Sequence, residues 1–307
     1  MPKFIALTGA AGFIGRVVTR RLLERGDLVY GVDALTYAAD PQANAMLMQL
    51  YPERYSFVGR PVQQLERWPD VDAVIHLAAE THVDNSLTDG PRFVETNVGG
   101  TCHLLEMTRA KQQHGMPHFI HISTDEVYGS IATGTAKPTD ALNPTSPYAA
   151  SKAAADLLVQ AWGQTYGVPY TIIRPTNTYG PNQYVEKLIP KTIRSKMLGR
   201  PMTVHGTGTQ TRQWLHVEDL ADAILMVLDQ QVAAPIVNVS GNTEASVLDI
   251  VESIVHDGYE RGFNRPAMDH RYSVDDSILR DAGWEPKGNF WIDLIGIVQQ
   301  ESRRWRV

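Results

Sequence analysis

Cysteine is nearly missing from this 307-residue chain: Cys102 stands alone, so no disulfide can form within it and a reducing compartment fits. Its expected role is that of a small buried apolar residue on a helix. No stretch approaches the ~20 consecutive apolar residues of a membrane span, and residues 1–8 are too short for the apolar core of a secretory signal. A cytoplasmic protein with no membrane partner is therefore expected. Basic blocks are absent as well. The 28 Lys and Arg against 34 Asp and Glu give a formal net charge of -6, which argues against nucleic acid as a partner. Nor do the 10 histidines and one cysteine form a cluster with ligand spacing, so no metal is expected. His76, His118 and His121 are read as packing in or beside strands. Against these absences stand 43% hydrophobic and 20% charged residues, the composition of an ordinary globular enzyme.

The length exceeds what one hydrophobic core usually serves, so a large first domain and a smaller second one are expected. Short apolar runs at 4–7, 28–32, 55–58, 73–77, 118–123 and 170–174 predict strands. Helical patterns at 14–25, 97–113 and 147–166 fall between them. Strands alternating with helices of this length predict an α/β fold with a doubly wound parallel sheet, covered on both faces. After Pro175 the rhythm breaks. Gly-, Pro- and Asn-rich loops at 177–183 and 206–211 alternate with predicted helices at 185–198, 218–228 and 247–256. The expected division is a dinucleotide-binding domain over 1–176, joined by part of 207–240, and a substrate domain mainly over 177–307.

Residues Thr8-Gly9-Ala10-Ala11-Gly12-Phe13-Ile14-Gly15 follow the first predicted strand and open the first predicted helix. Gly9 suits the tight turn, Gly12 a close backbone approach to a pyrophosphate, and Gly15 close packing of helix on strand. The helix N-terminus offers unpaired N–H groups and a positive dipole end to phosphates. Asp33, at the end of the second predicted strand, can accept bonds from both ribose hydroxyls and would repel an added phosphate there, so NAD rather than NADP is the expected cofactor. Tyr148 and Lys152 lie four apart and so share one helix face. A lysine ammonium there is expected to lower the tyrosine pKa toward a working base.

These motifs, with the spacing Gly-x-x-Gly-x-x-Gly and the Tyr-x-x-x-Lys pair, resemble those of the extended short-chain dehydrogenase/reductase family, a Rossmann-like group. Ser123-Thr124-Asp125-Glu126-Val127-Tyr128-Gly129 then narrows the chemistry, because ligands bind at the C-terminal edge of such a sheet. Removing water across C5 and C6 of a 4-keto sugar needs a base for the C5 proton and an acid for the O6 hydroxyl. Two carboxyls in different environments can divide those tasks.

Together with Ala78-Ala79-Glu80-Thr81-His82-Val83-Asp84, Leu35-Thr36-Tyr37-Ala38, Glu186-Lys187-Leu188-Ile189-Pro190, Arg212-Gln213-Trp214-Leu215 and Arg271-Tyr272-Ser273-Val274-Asp275, that segment resembles the dTDP-glucose 4,6-dehydratase family over essentially the whole chain. The resemblance implies a lyase that binds a nucleotide-diphospho-hexose and NAD. It assigns catalysis to Thr124, Asp125, Glu126, Tyr148 and Lys152. Cofactor contacts fall to Gly9, Gly12, Phe13, Ile14, Gly15, Asp33, Leu35, Thr36, Ala78 and Ala79, besides Tyr148 and Lys152. Sugar, diphosphate or base contacts fall to His82, Asn177, Lys187, Leu188, His205, Arg212, Arg265 and Arg271. A homodimer built through the helices after Asn97 and Pro147 is implied as well. Around the base the chain departs from the family pattern, with Thr203, His205, Val247 and Met268 in place of the usual residues, and Arg60-Pro61 near the adenine. Both dTDP-glucose, which is favoured, and UDP-glucose stay open as substrates. A nucleotide-sugar 4-epimerase and a catalytically silent NAD-bound regulatory protein are the alternatives.

Overall fold

The computed structural model describes residues 1–264 and 266–304. In its first half, strand and helix alternate: β1 (Phe4–Thr8), α1 (Phe13–Arg25), β2 (Leu28–Asp33), α2 (Pro41–Leu50), β3 (Tyr55–Gly59) and β4 (Ala73–His76). The short helices α3 (Val83–Thr88) and α4 (Gly90–Phe93) follow, and a π-helical turn (Val94–Gly99) leads into α5 (Gly100–Arg109). Then come β5 (His118–Ile122), α6 (Pro147–Tyr166) and β6 (Tyr170–Pro175). The remainder is β7 (Asn177–Tyr179), α7 (Leu188–Met197), β8 (Met202–His205), β9 (Thr211–His216), α8 (Val217–Leu228), β10 (Ile236–Val239), β11 (Thr243–Ser246), α9 (Val247–Val255), β12 (Tyr259–Gly262), α10 (Ser277–Asp281) and α11 (Phe290–Arg304).

Seven strands form one sheet in the order β10-β6-β5-β4-β1-β2-β3, and every neighbouring pair is parallel. Side chains alternate across each strand, so the sheet must bury both faces. Ile5 and Leu7 of β1 and Ile75 of β4 enter a core with Val18, Leu22 and Leu23 of α1 and Ile224 of α8. Ala6 and Val74 face the other way, onto Leu104 and Leu105 of α5 and Val159 of α6. This is the doubly wound, Rossmann-like α/β arrangement expected from the strand rhythm. The chain order reverses between β1 and β4, which opens a crevice at their C-terminal ends.

Two small sheets, β11-β9-β7 and β12-β8, lie in the second half. Strands β7 and β9 fall in or beside stretches that composition marked as loops. Four residues or fewer of mixed polarity, as in β8, β11 and β12, leave little period-2 signal. Tyr179, Trp214 and Phe290 pack edge to face or tilted at 4.9–6.5 Å between centroids, in a third core shared by α7, α9 and α11.

Local chemistry sets the helix ends. Ser146 caps α6, its hydroxyl accepting from the Ala149 amide at 3.1 Å, Pro147 fills the first helical position and Gly167 ends the helix at φ 71°. The helix expected at 97–113 instead begins with the π-helical turn, which points the Asn97 amide at the Glu80 backbone and at Ser151. The helix expected from Val185 starts at Leu188. By contrast α1 starts at Phe13 with Gly12 at its N-cap position, which supplies no side-chain cap.

A Cβ on Gly15 would overlap the Gly9 carbonyl oxygen, whereas one on Gly12 would sit 3.2 Å from that atom. Gly15→Ala must therefore push α1 off β1 and is expected to cost about 2 kcal/mol or more, with Gly12→Ala costing clearly less. Urea unfolding of the two variants measures the difference, and equal stabilities would contradict the close approach.

Candidate active site

Two clusters lie at the C-terminal edge of the large sheet. The first surrounds the turn between β1 and α1. Gly9 adopts φ +73°, and a Cβ there would meet the Ala78 nitrogen at 2.8 Å. Asp33, buried at the end of β2, accepts from the Ala11 amide at 3.0 Å and the Leu35 amide at 2.8 Å. Burial raises its pKa, and the backbone bonds from Leu35, Ala11 and Gly12 oppose the rise. The carboxyl thus ties the glycine turn to the 33–36 turn, where Leu35 takes φ 54° and Thr36 closes the bend through its carbonyl to Ala39. Phe13 and Ile14 begin α1, with Ile14 packed into the core.

Ala78 and Ala79 follow β4 across the crevice. The Ala78 amide donates to Thr8 Oγ1 at 3.2 Å, which also pairs with His76 Nδ1 at 2.8 Å. His76 Nε2 reaches Thr101 Oγ1 at 3.0 Å, and burial, followed by the nearby Lys152 charge, pushes this imidazole down to about 3. His76 is accordingly a neutral strut that fixes the 78–80 loop. Expected as a residue of simple packing, it is a hydrogen-bonded one. Cys102 lies half-buried on α5, more exposed than expected.

The second cluster is the β5 terminus facing α6. Thr124 starts a single 3₁₀ turn over Asp125–Tyr128, its hydroxyl accepting from the Glu126 amide at 3.3 Å and donating to Asp125 Oδ1 at 3.3 Å. Asp125 is 3% exposed and its Oδ2 has no hydrogen-bond partner among the described residues. Desolvation, then the Glu126 charge, raises its carboxyl to about 8, against weaker pulls from Arg212 and Thr124. At neutral pH it is therefore mostly a protonated acid, next to the half-buried Glu126.

Tyr148 and Lys152 approach this turn from α6, both buried. The expectation that Lys152 lowers the tyrosine pKa is not met in the protein alone. Burial and then the Glu126 charge push Tyr148 above its ordinary value, and a hydrogen bond with Thr124 opposes them only in part. The Lys152 ammonium instead donates to the Ile122 carbonyl at 2.8 Å. Its own pKa is brought down by burial to about 8, with Asp156 resisting.

Of the residues assigned to the substrate, Lys187 and Arg212 come close to the carboxylates. Lys187 Nζ donates to the Thr81 carbonyl at 2.9 Å; burial lowers its pKa, and the charges of Glu186, Glu126 and Asp84 resist. Arg212 stacks 4.1 Å over Tyr272 and donates to the Thr211, Asp269 and His270 carbonyls, close enough to act on Asp125. Asn177 Oδ1 is buried without a partner among the described residues.

The others stand apart from this pair. His82 caps α3 by accepting from the Asn85 amide, and His205 Nδ1 pairs with the Phe263 carbonyl at 3.2 Å. Leu188 opens α7 and packs into the smaller cores. Arg271 is fully engaged in a bidentate pair with Glu244 at 2.7 and 2.9 Å, so here it clamps the loop rather than presenting a free guanidinium. Arg265 lies outside the described residues.

Tyr272 and Tyr37 were not singled out individually, although both lie inside motifs that were. Tyr272 donates to Asp269 at 2.6 Å and feels the Glu126 charge, and Tyr37 feels Glu186 and Glu80. The available signal was an aromatic hydroxyl beside or between residues already chosen. Among the described residues no group of His, Cys, Asp and Glu could hold a metal, and no helix is long and apolar enough to cross a membrane.

The geometry has counterparts in known proteins. Residues 5–240 match the model of the NAD dependent epimerase/dehydratase family. A dTDP-glucose 4,6-dehydratase of Streptomyces niveus is 39% identical over 98% of this chain and 94% of its own. A trifunctional UDP-glucose 4,6-dehydratase/UDP-4-keto-6-deoxy-D-glucose 3,5-epimerase/UDP-4-keto-L-rhamnose-reductase of Arabidopsis thaliana is 37% identical over 95% of this chain and 46% of its own. The crystal structure of a dTDP-glucose 4,6-dehydratase from Streptomyces venezuelae with NAD bound superimposes with a TM-score of 0.90, at 35% identity over 98% of both chains. This chain is a member of the NAD dependent epimerase/dehydratase family.

Proposed function

We propose that this chain is an NAD-dependent hydro-lyase that turns a nucleotide-diphospho-glucose, dTDP-glucose in first place, into its 4-keto-6-deoxy sugar. The observation that carries the reading is the Asp125 carboxyl, buried at the end of β5 beside Glu126, an environment that raises its pKa to about 8. An epimerase has no step that needs such an acid. The uncapped α1 terminus, the three glycines and Asp33 suit the pyrophosphate and adenosine ribose of NAD. Residues 1–176 with part of 207–240 hold the cofactor in this reading, and 177–307 mainly hold the nucleotide sugar. Exposed Leu157 and Tyr166 on α6 and Val94 before α5 suit a homodimer in the cytoplasm, for which light scattering should return twice the 34.1 kDa chain mass.

NAD, which Gly9, Gly12, Gly15 and Asp33 would hold, would supply the hydride acceptor and donor that the oxidation at C4 and the reduction at C6 require. Tyr148 takes the O4 proton while Thr124 bonds the same hydroxyl, and Lys152 holds the cofactor ribose and the positive charge that favours phenolate. Glu126 removes the C5 proton, made acidic by the neighbouring ketone. Asp125 gives its proton to O6, which leaves as water, and Glu126 returns its proton to C5 as C6 is reduced. The assignment explains why the two adjacent carboxyls sit in different environments: one must arrive as base and the other as acid. Lys187, Arg212 and Asn177 suit the sugar and diphosphate.

Asp125→Asn and Glu126→Gln are each expected to slow product formation by ~10²-fold or more with nucleotide affinity little changed; full dehydratase rates would remove the assignment. The absence of any turnover on dTDP-, UDP-, CDP- and GDP-hexoses would favour a silent binding protein instead. Comparing kcat/KM for dTDP-glucose and UDP-glucose decides the nucleotide, and a higher value is expected for dTDP-glucose.

The Asp125 carboxyl also carries a stability signature. Its folded value of about 8 lies above the ordinary 3.8, so the folded form binds the proton more tightly than the unfolded chain. The stabilisation is complete below 3.8 and lost as pH rises to about 8. Asp125→Asn should therefore melt several degrees higher than wild type at about pH 8 and converge with it at about pH 4. A pH-independent difference in melting temperature would place Asp125 in a solvated site.

A further inference from the structure

Beneath the catalytic edge runs a chain of buried charges that the reaction above does not use. Asp156 lies on α6 four residues after Lys152 and is fully buried. Its Oδ2 accepts from Arg174 Nε of β6 at 2.8 Å, and Arg174 is 1% exposed. Its Oδ1 lies 3.5 Å from His121 Nε2 of β5, and that nitrogen is 3.5 Å from Lys152 Nζ. Arg174 donates onward to Tyr128 Oη at 2.7 Å and stacks 4.9 Å over its ring. Tyr128 belongs to the same 3₁₀ turn as Asp125 and Glu126, and its hydroxyl donates to Asn238 of β10 at 2.8 Å.

We propose that Asp156 is a positioning residue for the catalytic centre: it supports the Lys152 ammonium across His121 and, through Arg174 and Tyr128, anchors the turn that carries Asp125 and Glu126. A charge this deep is costly unless paired. Around Lys152 the other charged or titratable groups are His76 of β4, His121 of β5, Tyr148 of α6 and, beyond Asp156, Arg174 of β6. His76 and His121 are both neutral, because burial and the neighbouring cations hold them below the usual histidine range. Among the described residues the Ile122 carbonyl accepts from the ammonium at 2.8 Å, and the Asp156 charge supports it against burial from across His121. Because one carboxylate serves both cations, it also fixes the spacing between α6, which bears Tyr148, and the turn opposite.

The role rests on the functional reading above, so its test separates the two. The hydride step alone is read as absorbance of reduced NAD in the holoenzyme, with a nucleotide-6-deoxyglucose that has no O6 hydroxyl to lose. In wild type this step should fall with alkaline pH as Lys152 loses its proton near 8. In Asp156→Asn the midpoint should move to lower pH by about one unit or more, a tenfold or larger change in the proton equilibrium. Asp156→Glu, which keeps the charge, should retain the wild-type midpoint.

Because Asp156→Asn leaves Arg174 unpaired, the double variant Asp156→Asn/Arg174→Met removes both charges and should show the same shift with a cooperative melt. As a second readout, the Lys152 ¹³Cε resonance, assigned by its loss in Lys152→Met, should titrate at lower pH in each variant lacking the carboxylate. Wild-type midpoints in a folded variant without Asp156 would overturn the proposal. If wild type itself forms no reduced NAD, the dehydratase reading fails, and the ¹³C titration still decides the positioning role.

Discussion

Removal of a carboxyl from water is the constraint around which the catalytic end of this molecule is arranged. The Asp125 carboxyl is raised to about 8 because the end of β5 is buried, with α6, Arg212 of β9 and Tyr272 around it and Glu126 beside it. An exposed aspartate next to a glutamate would be ionised at neutral pH and could give nothing to a departing hydroxyl. In the proposed reading the fold thus supplies the acid by desolvation of Asp125. The same burial lifts Tyr148 and depresses Lys152, so a single physical cause moves three groups away from their solution values. For Tyr148 the direction is opposite to what its lysine partner suggests. A base of this kind must gain its cationic help when the site is filled, which couples proton removal at O4 to occupancy.

Charge is distributed accordingly. The chain is acidic overall, yet Lys152, Arg174, Lys187 and Arg212 converge on the crevice or lie beneath it. None is held by simple solvation. Arg212 is oriented by backbone carbonyls, which align a cation without neutralising it, while Lys187 has both the Thr81 carbonyl and Glu186 at 3.6 Å. Arg271 shows the contrasting solution, a bidentate carboxylate partner that removes its charge from play and gives the loop stiffness. The two arginines are therefore held differently: Arg212 by backbone carbonyls and Arg271 by a carboxylate as well.

That difference is where the sequence stops being informative. The large sheet was legible because β1, β2, β4, β5 and β6 are apolar runs bounded by turn residues, and because Gly9, Gly12, Gly15 and Asp33 are tied to each other by local geometry. Thr124, Asp125, Glu126, Tyr148 and Lys152 were legible as types at the correct edge of that sheet. Their electrostatic states were not, since desolvation depends on what distant segments cover. The small strands β7, β8, β11 and β12 escaped for a related reason: they are three or four residues long and pair only within the second half. Their pairing follows from tertiary packing around Tyr179, Trp214 and Phe290 rather than from a local period.

The two halves consequently carry different kinds of constraint. Chemistry sits on the ends of β5 and α6, elements packed on both faces and locked by Asp156, Arg174, Tyr128 and Asn238, where a small shift would break the alignment of acid, base and tyrosine. The family's base-reading positions lie instead on β8 and the segment after β12, where His205 and Met268 meet through Gln210 and Thr203 pairs with Glu260. Those strands form a two-stranded sheet apart from the large one, yet the segment after β12 reaches the β5 terminus: Asp269, next to Met268, accepts from the Tyr272 hydroxyl and, through its carbonyl, from Arg212, whose charge acts on Asp125. In the proposed reading, nucleotide choice and elimination chemistry are therefore coupled through Asp269.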